Sequence, residues 1–197
     1  MKYKNIVFDL GGVVVARDPS KCTQEFINFF NYLRDPMPQF WHEYDRGALS
    51  FDETKEALRL HNGVSRELCD EYIARSIVMQ EEMPATKRLI EELKASGECK
   101  LFVLSNMAPE YIKHIRARDV YRHFDGEVIS CEEGVIKPER RIYEILVERY
   151  GLNPEETLFI DDRLQNLEAA EQLGVVGFHF NPMDAEGSCQ SLRDLLL

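Results

Sequence analysis

Short apolar runs that end on polar or acidic residues constrain this chain most. Ile6-Val7-Phe8 runs into Asp9-Leu10-Gly11-Gly12, Leu101-Phe102-Val103-Leu104 into Ser105-Asn106, and Leu158-Phe159-Ile160 into Asp161-Asp162; Val175-Val176-Gly177-Phe178 is a fourth run and Val128-Ile129 a weaker fifth. Runs without polar alternation belong to strands buried on both faces, as in a parallel sheet with helices on each side. Between them the apolar residues recur at three and four: Leu89, Ile90 and Leu93 before Gly97; Ile142, Ile145, Leu146 and Tyr150 before Gly151; Leu167, Ala170 and Leu173 before Gly174. Each of these helices is expected to end on its glycine in the left-handed conformation. The alternation predicts an α/β fold with a doubly wound, Rossmann-like parallel sheet.

One interval breaks the alternation. From Ala16 to Met83 there is no comparable β-branched run, and the spacing is helical throughout. The chain therefore divides into a core of residues 1–15 and 84–197 and an inserted helical bundle of residues 16–83. Within that insertion Phe26, Phe29, Phe30, Tyr32, Phe40, Trp41, Tyr44 and Phe51 crowd together. A small bundle needs large side chains to bury enough area, so these read as its core, with one or two left to line a pocket.

Charge narrows the function classes. With 24 Lys and Arg against 35 Asp and Glu, the net charge is -11. Such a chain lacks the general cationic attraction that non-specific nucleic-acid binding requires. Cys22, Cys69, Cys99, Cys131 and Cys189 are scattered and odd in number, as in a protein of reduced thiols. No run of 18 apolar residues and no apolar leader with a cleavage site is present, so a cytoplasmic, membrane-free protein is expected.

Ligands in an open parallel sheet sit beyond the carboxyl ends of the strands. There the chain delivers Asp9, Ser105-Asn106, Asp161-Asp162 with Asn166 four residues on, and, from a later loop, Lys137-Pro138. Three carboxylates at one rim repel each other unless a cation lies between them, and an all-oxygen set suits Mg²⁺. The Ser105 hydroxyl, the Asn106 amide or backbone and the Lys137 ammonium would then supply donors and charge to a phosphoryl group.

These stretches resemble the haloacid dehalogenase superfamily in its helical-cap subclass: NIVFDLGGVVV is similar to its first motif, LFVLSN to its second, GVIKPERRIYEIL to its third and TLFIDDRLQNLEAA to its fourth. RGALSFDE resembles a cap segment of the sugar-phosphatase branch, which includes the α-D-glucose-1-phosphate phosphatases and the phosphatase domain of soluble epoxide hydrolases. The resemblance implies a Mg²⁺-dependent phosphatase of a small phosphomonoester, a sugar phosphate by preference. Asp9 would be the nucleophile that becomes an aspartyl-phosphate. Ser105, Asn106 and Lys137 would hold the phosphoryl group, with Lys137 also neutralising the nucleophile. Asp9, the Gly11 carbonyl and Asp162 would hold the metal, Asp161 would lie behind them, near the metal or bonded to Lys137, and Asn166 would orient the set.

The chain departs from the family's usual pattern at Gly11. Most phosphatases of the superfamily carry there an aspartate that protonates the leaving group, and a glycine moves no proton. General acid-base catalysis is typically worth about 10² to 10⁴ in rate, so its loss weakens an enzyme without abolishing it. Two alternatives follow: a weak or inactive phosphate-binding relative, and a metal-independent 2-haloacid dehalogenase, against which the charge of Asp161 and Asp162 counts. Outside the motifs, His42, Arg17 and Asp18 are candidates to face the site, and Arg46-Gly47 to begin a cap turn. Arg140 and Arg141 read as exposed helix positions, and Cys131 as a packed thiol.

Overall fold

The computed structural model describes residues 2–17, 22–31 and 36–197. In chain order its elements are β1 (Asn5–Phe8), β2 (Val15–Arg17), α1 (Gln24–Phe30), α2 (Gln39–Asp45), α3 (Phe51–Asn62), α4 (Arg66–Val78), β3 (Gln80–Glu82), α5 (Pro84–Ser96), β4 (Lys100–Ser105), α6 (Pro109–Arg116), β5 (Gly126–Ile129), α7 (Ser130–Glu133), α8 (Arg140–Tyr150), β6 (Thr157–Asp161), α9 (Leu164–Glu171), β7 (Val176–His179) and α10 (Ala185–Leu196). Among the described residues no helix is long and apolar enough to cross a membrane.

Five strands form one parallel sheet in the order β5-β4-β1-β6-β7. Its centre is β1, with Val7 level with Phe102 on one side and Phe159 on the other. Alternate residues serve opposite faces, as a pleated strand requires. Ile6, Phe8, Val103 and Ile160 pack with Leu89 and Ile90 of α5, Ile112 of α6 and Leu192 of α10. Val7, Phe102, Leu104 and Phe159 pack with Ile142 and Leu146 of α8 and Leu167 of α9. Both faces are therefore dry, which is why the strand sequences lack polar alternation. Gly97 and Gly151 close α5 and α8 at φ 67° and 61°, as their positions predict. Gly174 also takes the left-handed backbone, at φ +84°, but beyond the helix end, since α9 stops earlier with Gln172 as its cap.

Between β1 and α5 lies the inserted unit, and its core is the expected aromatic cluster: Phe26, Phe29, Phe30, Trp41 and Tyr44 with Leu58, Cys69 and Ile73. Tyr32 lies outside the described residues. Trp41 donates its indole N–H to the Phe30 carbonyl at 2.6 Å, so its one polar atom is satisfied in the apolar centre. Helices alone do not account for the whole interval. At its two ends β2 and β3 pair antiparallel, Val15 opposite Glu82 and Arg17 opposite Gln80, forming a ribbon that carries the chain out of the core and back. Core helix α6 meets the insertion: Ala108 and Tyr111 join the aromatic cluster, Tyr44 donates to Glu110, and the Ser76 and Tyr111 hydroxyls share a hydrogen bond at 2.5 Å.

Candidate active site

The residues at the ends of β1, β4 and β6 converge on one buried ammonium. Lys137, 4% exposed, has three N–H donors and uses all of them, to Asp9 Oδ1 at 2.9 Å, Asp161 Oδ2 at 2.7 Å and the Leu104 carbonyl at 3.0 Å. Ser105 donates its hydroxyl to the same Asp9 oxygen at 2.8 Å. Burial pushes the Lys137 pKa down, but Asp161 and Asp9 more than offset it, so the ammonium stays protonated. Burial raises the Asp9 carboxyl, opposed chiefly by Lys137.

Asp161 is fully buried and already saturated. Its two oxygens accept from Lys137, from the Arg163 backbone N–H at 2.8 Å and from the Asn166 amide at 3.0 Å each. Of the two positions open to it from the sequence, the structure favours the one bonded to Lys137. Asn166 is held in turn: its carbonyl accepts the Tyr143 hydroxyl at 2.9 Å. Asn106 is also committed. Its amide donates to the Lys137 carbonyl at 2.9 Å and accepts the Lys137 N–H at 2.7 Å, so its side chain shapes the lysine loop and only its backbone remains for a ligand.

Asp162 is the acidic group left open. It is half-buried, and its pKa is raised to about 6, first by burial and then by Asp9 and Asp161. The loop after β1 closes on it: a Cβ at Gly12, where φ is +79°, would stand 2.9 Å from Asp162 Oδ2. Asp9, Asp161 and Asp162 offer carboxylate oxygens that all lie within 4.8 Å of one another. The Lys137 ammonium and the Arg163 guanidinium against three carboxylates still leave a surplus of negative charge, and with Asp161 saturated the free oxygens are those of Asp9 and Asp162. Such a hard, oxygen-only set fits a small divalent cation.

Above this cluster opens a cleft of about 460 Å³. It is lined by the core residues Asp9, Gly11, Gly12, Asn106, Lys137 and Asp162 and by residues of the insertion, among them Arg17, His42 and Asp45. Arg17 also lies over the Phe30 ring. Asp18 lies outside the described residues. Arg140 and Arg141 pair with Glu144 and Glu148 on the exposed face of α8, and neither arginine nor Cys131 lines the cleft.

Among the cleft residues that sequence reasoning passed over are two charged ones, Arg163 and Asp45. Arg163 follows the paired aspartates directly, and Asp45 immediately precedes the Arg46-Gly47 turn. That turn is docked on the core: Ser130 donates to the Asp45 carbonyl at 2.5 Å, and Arg46 donates to the Gly134 carbonyl at 3.2 Å and pairs with Glu139. Gly47, at φ +77°, lies so close that a Cβ would stand 2.6 Å from the Cys131 carbonyl. The Asp45 pKa is raised to about 7, first by burial; Asp9 raises it further while Arg163 and Lys137 lower it.

A parallel sheet with an acidic and lysine-centred rim under an inserted helical unit defines a class of hydrolase. The family model of haloacid dehalogenase-like hydrolases matches residues 3–174, and the chain belongs to that family. It is 27% identical over 195 residues to a sesquiterpene phosphatase of Aspergillus oryzae, covering 98% of this chain and 97% of that one. It is 28% identical over 199 residues to a D-ribitol-5-phosphate phosphatase of Bacteroides thetaiotaomicron, covering 89% and 90%. A haloacid dehalogenase family enzyme of Bacteroides thetaiotaomicron, solved with magnesium and inorganic phosphate, superposes with a TM-score of 0.71 at 26% identity, covering 91% of this chain and 95% of that one.

Proposed function

We propose that this protein is a Mg²⁺-dependent phosphatase of a small phosphomonoester, with residues 1–15 and 84–197 as catalytic core and residues 16–83 as cap. The observation that carries the reading is the Lys137 ammonium bonded to both Asp9 and Asp161 beside the open carboxylate of Asp162. Asp9 and Asp162, with the Gly11 carbonyl, would hold the ion, which supplies charge neutralisation for the phosphoryl oxygens. Relatives named as phosphatases and a structural neighbour holding magnesium and phosphate support the same reading.

Asp9 attacks phosphorus, the ester oxygen leaves, and water then cleaves the aspartyl-phosphate. Lys137 opposes the burial that raises the Asp9 carboxyl and faces the phosphoryl charge, Ser105 fixes the attacking carboxylate, and the Asn106 backbone is left to meet a phosphoryl oxygen. Asp161 and Asn166 position the lysine without touching substrate.

The substrate's body would lie under the cap. Arg17, His42, Gln80, Asp45 and Gln165 provide polar contacts suited to a sugar or polyol phosphate. A second reading, the phosphate of an apolar alcohol, is favoured by Val15, Ile27, Met37, Met107 and Ile136 in the same lining. Phosphate release from sugar phosphates, prenyl phosphates, nucleotides and p-nitrophenyl phosphate, with and without EDTA, tests both. Turnover is expected to stop in EDTA and to fall by more than about 10⁴-fold in Asp9→Asn, in the range of losses seen when a nucleophile is removed. Full activity in either condition overturns the mechanism, and the preferred ester decides between the two bodies.

A further inference from the structure

Resting on the phosphatase reading, we infer that Asp45 of the cap is the group that protonates the leaving alcohol and then deprotonates the attacking water, the proton work that Gly11 cannot do.

The argument begins with direction. In-line displacement puts the leaving oxygen roughly opposite the attacking one. Asp9 stands at the end of β1 in the core and Asp45 comes from the insertion, and both line the same cleft, so an oxygen leaving opposite Asp9 departs into the space that Asp45 borders.

Position is fixed by the core itself. The Ser130 bond to the Asp45 carbonyl, the Arg46 contacts to Gly134 and Glu139, and the close approach of Gly47 to Cys131 tether both Asp45 and the turn that follows it. Among the described residues no side-chain hydrogen bond or ion pair engages the Asp45 carboxyl. Of the other titratable groups in and beside the cleft, Lys137 and Asp161 are saturated with partners, the Tyr111 hydroxyl is shared with Ser76, Arg163 is a permanent cation and Asp162 is the carboxylate assigned to the ion, which leaves His42 as the competitor that the test below includes. Asp45 is surrounded by protein yet open to the cleft, and its proton affinity is raised into the neutral range, mainly by burial. A donor that must also serve as a base works best there.

The step balances. As Asp9 bonds to phosphorus, the P–O ester bond breaks and the leaving oxygen takes the Asp45 proton, giving alcohol, aspartyl-phosphate and Asp45 carboxylate. That carboxylate then takes a proton from water as the water oxygen bonds to phosphorus and the Asp9–phosphorus bond breaks. The products are inorganic phosphate, free Asp9 and protonated Asp45.

The test is single-turnover alcohol release from n-butyl phosphate, a poor leaving group, and from p-nitrophenyl phosphate, which needs no proton. In Asp45→Asn the butyl ester is expected to slow by about 10²-fold or more and the nitrophenyl ester by less than about 10-fold. A Cβ at Gly11 meets nothing within 4 Å, and the residue faces the cleft, so Gly11→Asp added to Asp45→Asn is expected to recover at least ~10-fold on the butyl ester. His42→Gln, one turn earlier on the same helix, is expected to leave the ratio of the two rates within about threefold. Equal losses on both esters in Asp45→Asn, no loss on either, or a ratio shifted by His42→Gln instead overturn the role of Asp45 while the phosphatase reading stands. A wild-type protein inactive on both esters overturns the phosphatase reading, and this inference with it.

Discussion

Lys137 illustrates why the site tolerates little change at the residue scale. Its ammonium is bonded both to Asp9 and to the fully buried Asp161. Removing one member of a buried ion pair leaves a bare charge, at a cost of about 3–5 kcal/mol, whereas removing partners together costs much less. Lys137→Met is therefore expected to lower Tm by roughly 10 °C at neutral pH, taking ~2–4 °C per kcal/mol for a chain of this length. The double variant Lys137→Met with Asp161→Asn is expected to recover part of that loss, although neither would turn over substrate. Thermal unfolding of wild type, both single variants and the double variant checks this. A double-variant loss equal to the sum of the singles would show that the two side chains are not energetically coupled. Such coupling is invisible in a sequence: the Asp161-Asp162 pair announces a cluster of charge, but which of the two is saturated depends on Asn166 and the Arg163 backbone, and only folding brings those to Asp161.

At the scale of elements, the insertion is held where the end of α2 meets the parallel-sheet unit, and Gly47 measures how much that docking matters. Gly47 and Gly63 both have left-handed backbones, φ +77° and +64°, so an alanine at either is strained by about 1–2 kcal/mol. They differ in surroundings. An added Cβ at Gly63 meets nothing within 4 Å, while at Gly47 it stands 2.6 Å from the Cys131 carbonyl. Gly63→Ala is thus expected to lose stability alone. Gly47→Ala is expected to lose stability and, by pushing the Asp45 turn off the core, to lower kcat by at least ~10-fold in substrate-saturated assays, consistent with the cost of a misplacement near 1 Å. Comparable kcat in the two variants would show that the contact does not position the site. The same comparison marks what was legible beforehand. The central strands β1, β4 and β6 could be read because each holds a solid apolar run, β5 only weakly through Val128-Ile129, and the candidate site because acidic residues stand directly at the ends of β1 and β6. The β2–β3 ribbon could not, since three residues at each end of a long insertion carry no strand pattern and become a strand only by pairing. Asp45 was hidden for the same reason: it looks like a turn residue until the cap folds back over Asp9.

For the whole molecule, an insertion fastened over a charged cleft makes stability depend on pH through a carboxyl that protein surrounds on most sides. In the folded protein the Asp45 pKa is raised to about 7, against an ordinary value of 3.8. An unfolded chain releases this proton near pH 4, while the folded one keeps it to about pH 7. Between these values the unfolded state binds fewer protons, so the Asp45 contribution to stability falls as pH rises and is constant above the folded pKa. Asparagine mimics the neutral acid and has no such dependence. Asp45→Asn is therefore expected to match wild type in Tm near pH 4 and to exceed it increasingly up to neutral pH, by at least ~1 kcal/mol, or roughly 2–4 °C. Scanning calorimetry of the two proteins across pH 4 to 8 reads the difference, which cancels the titration of groups common to both. A constant difference would mean that Asp45 ionises as freely in the fold as outside it. A rising one, together with slower release of a poor leaving group, would mean that one carboxyl lowers stability at the pH where its proton is needed. That opposition is characteristic of a residue held in an unfavourable environment for its chemistry rather than for packing.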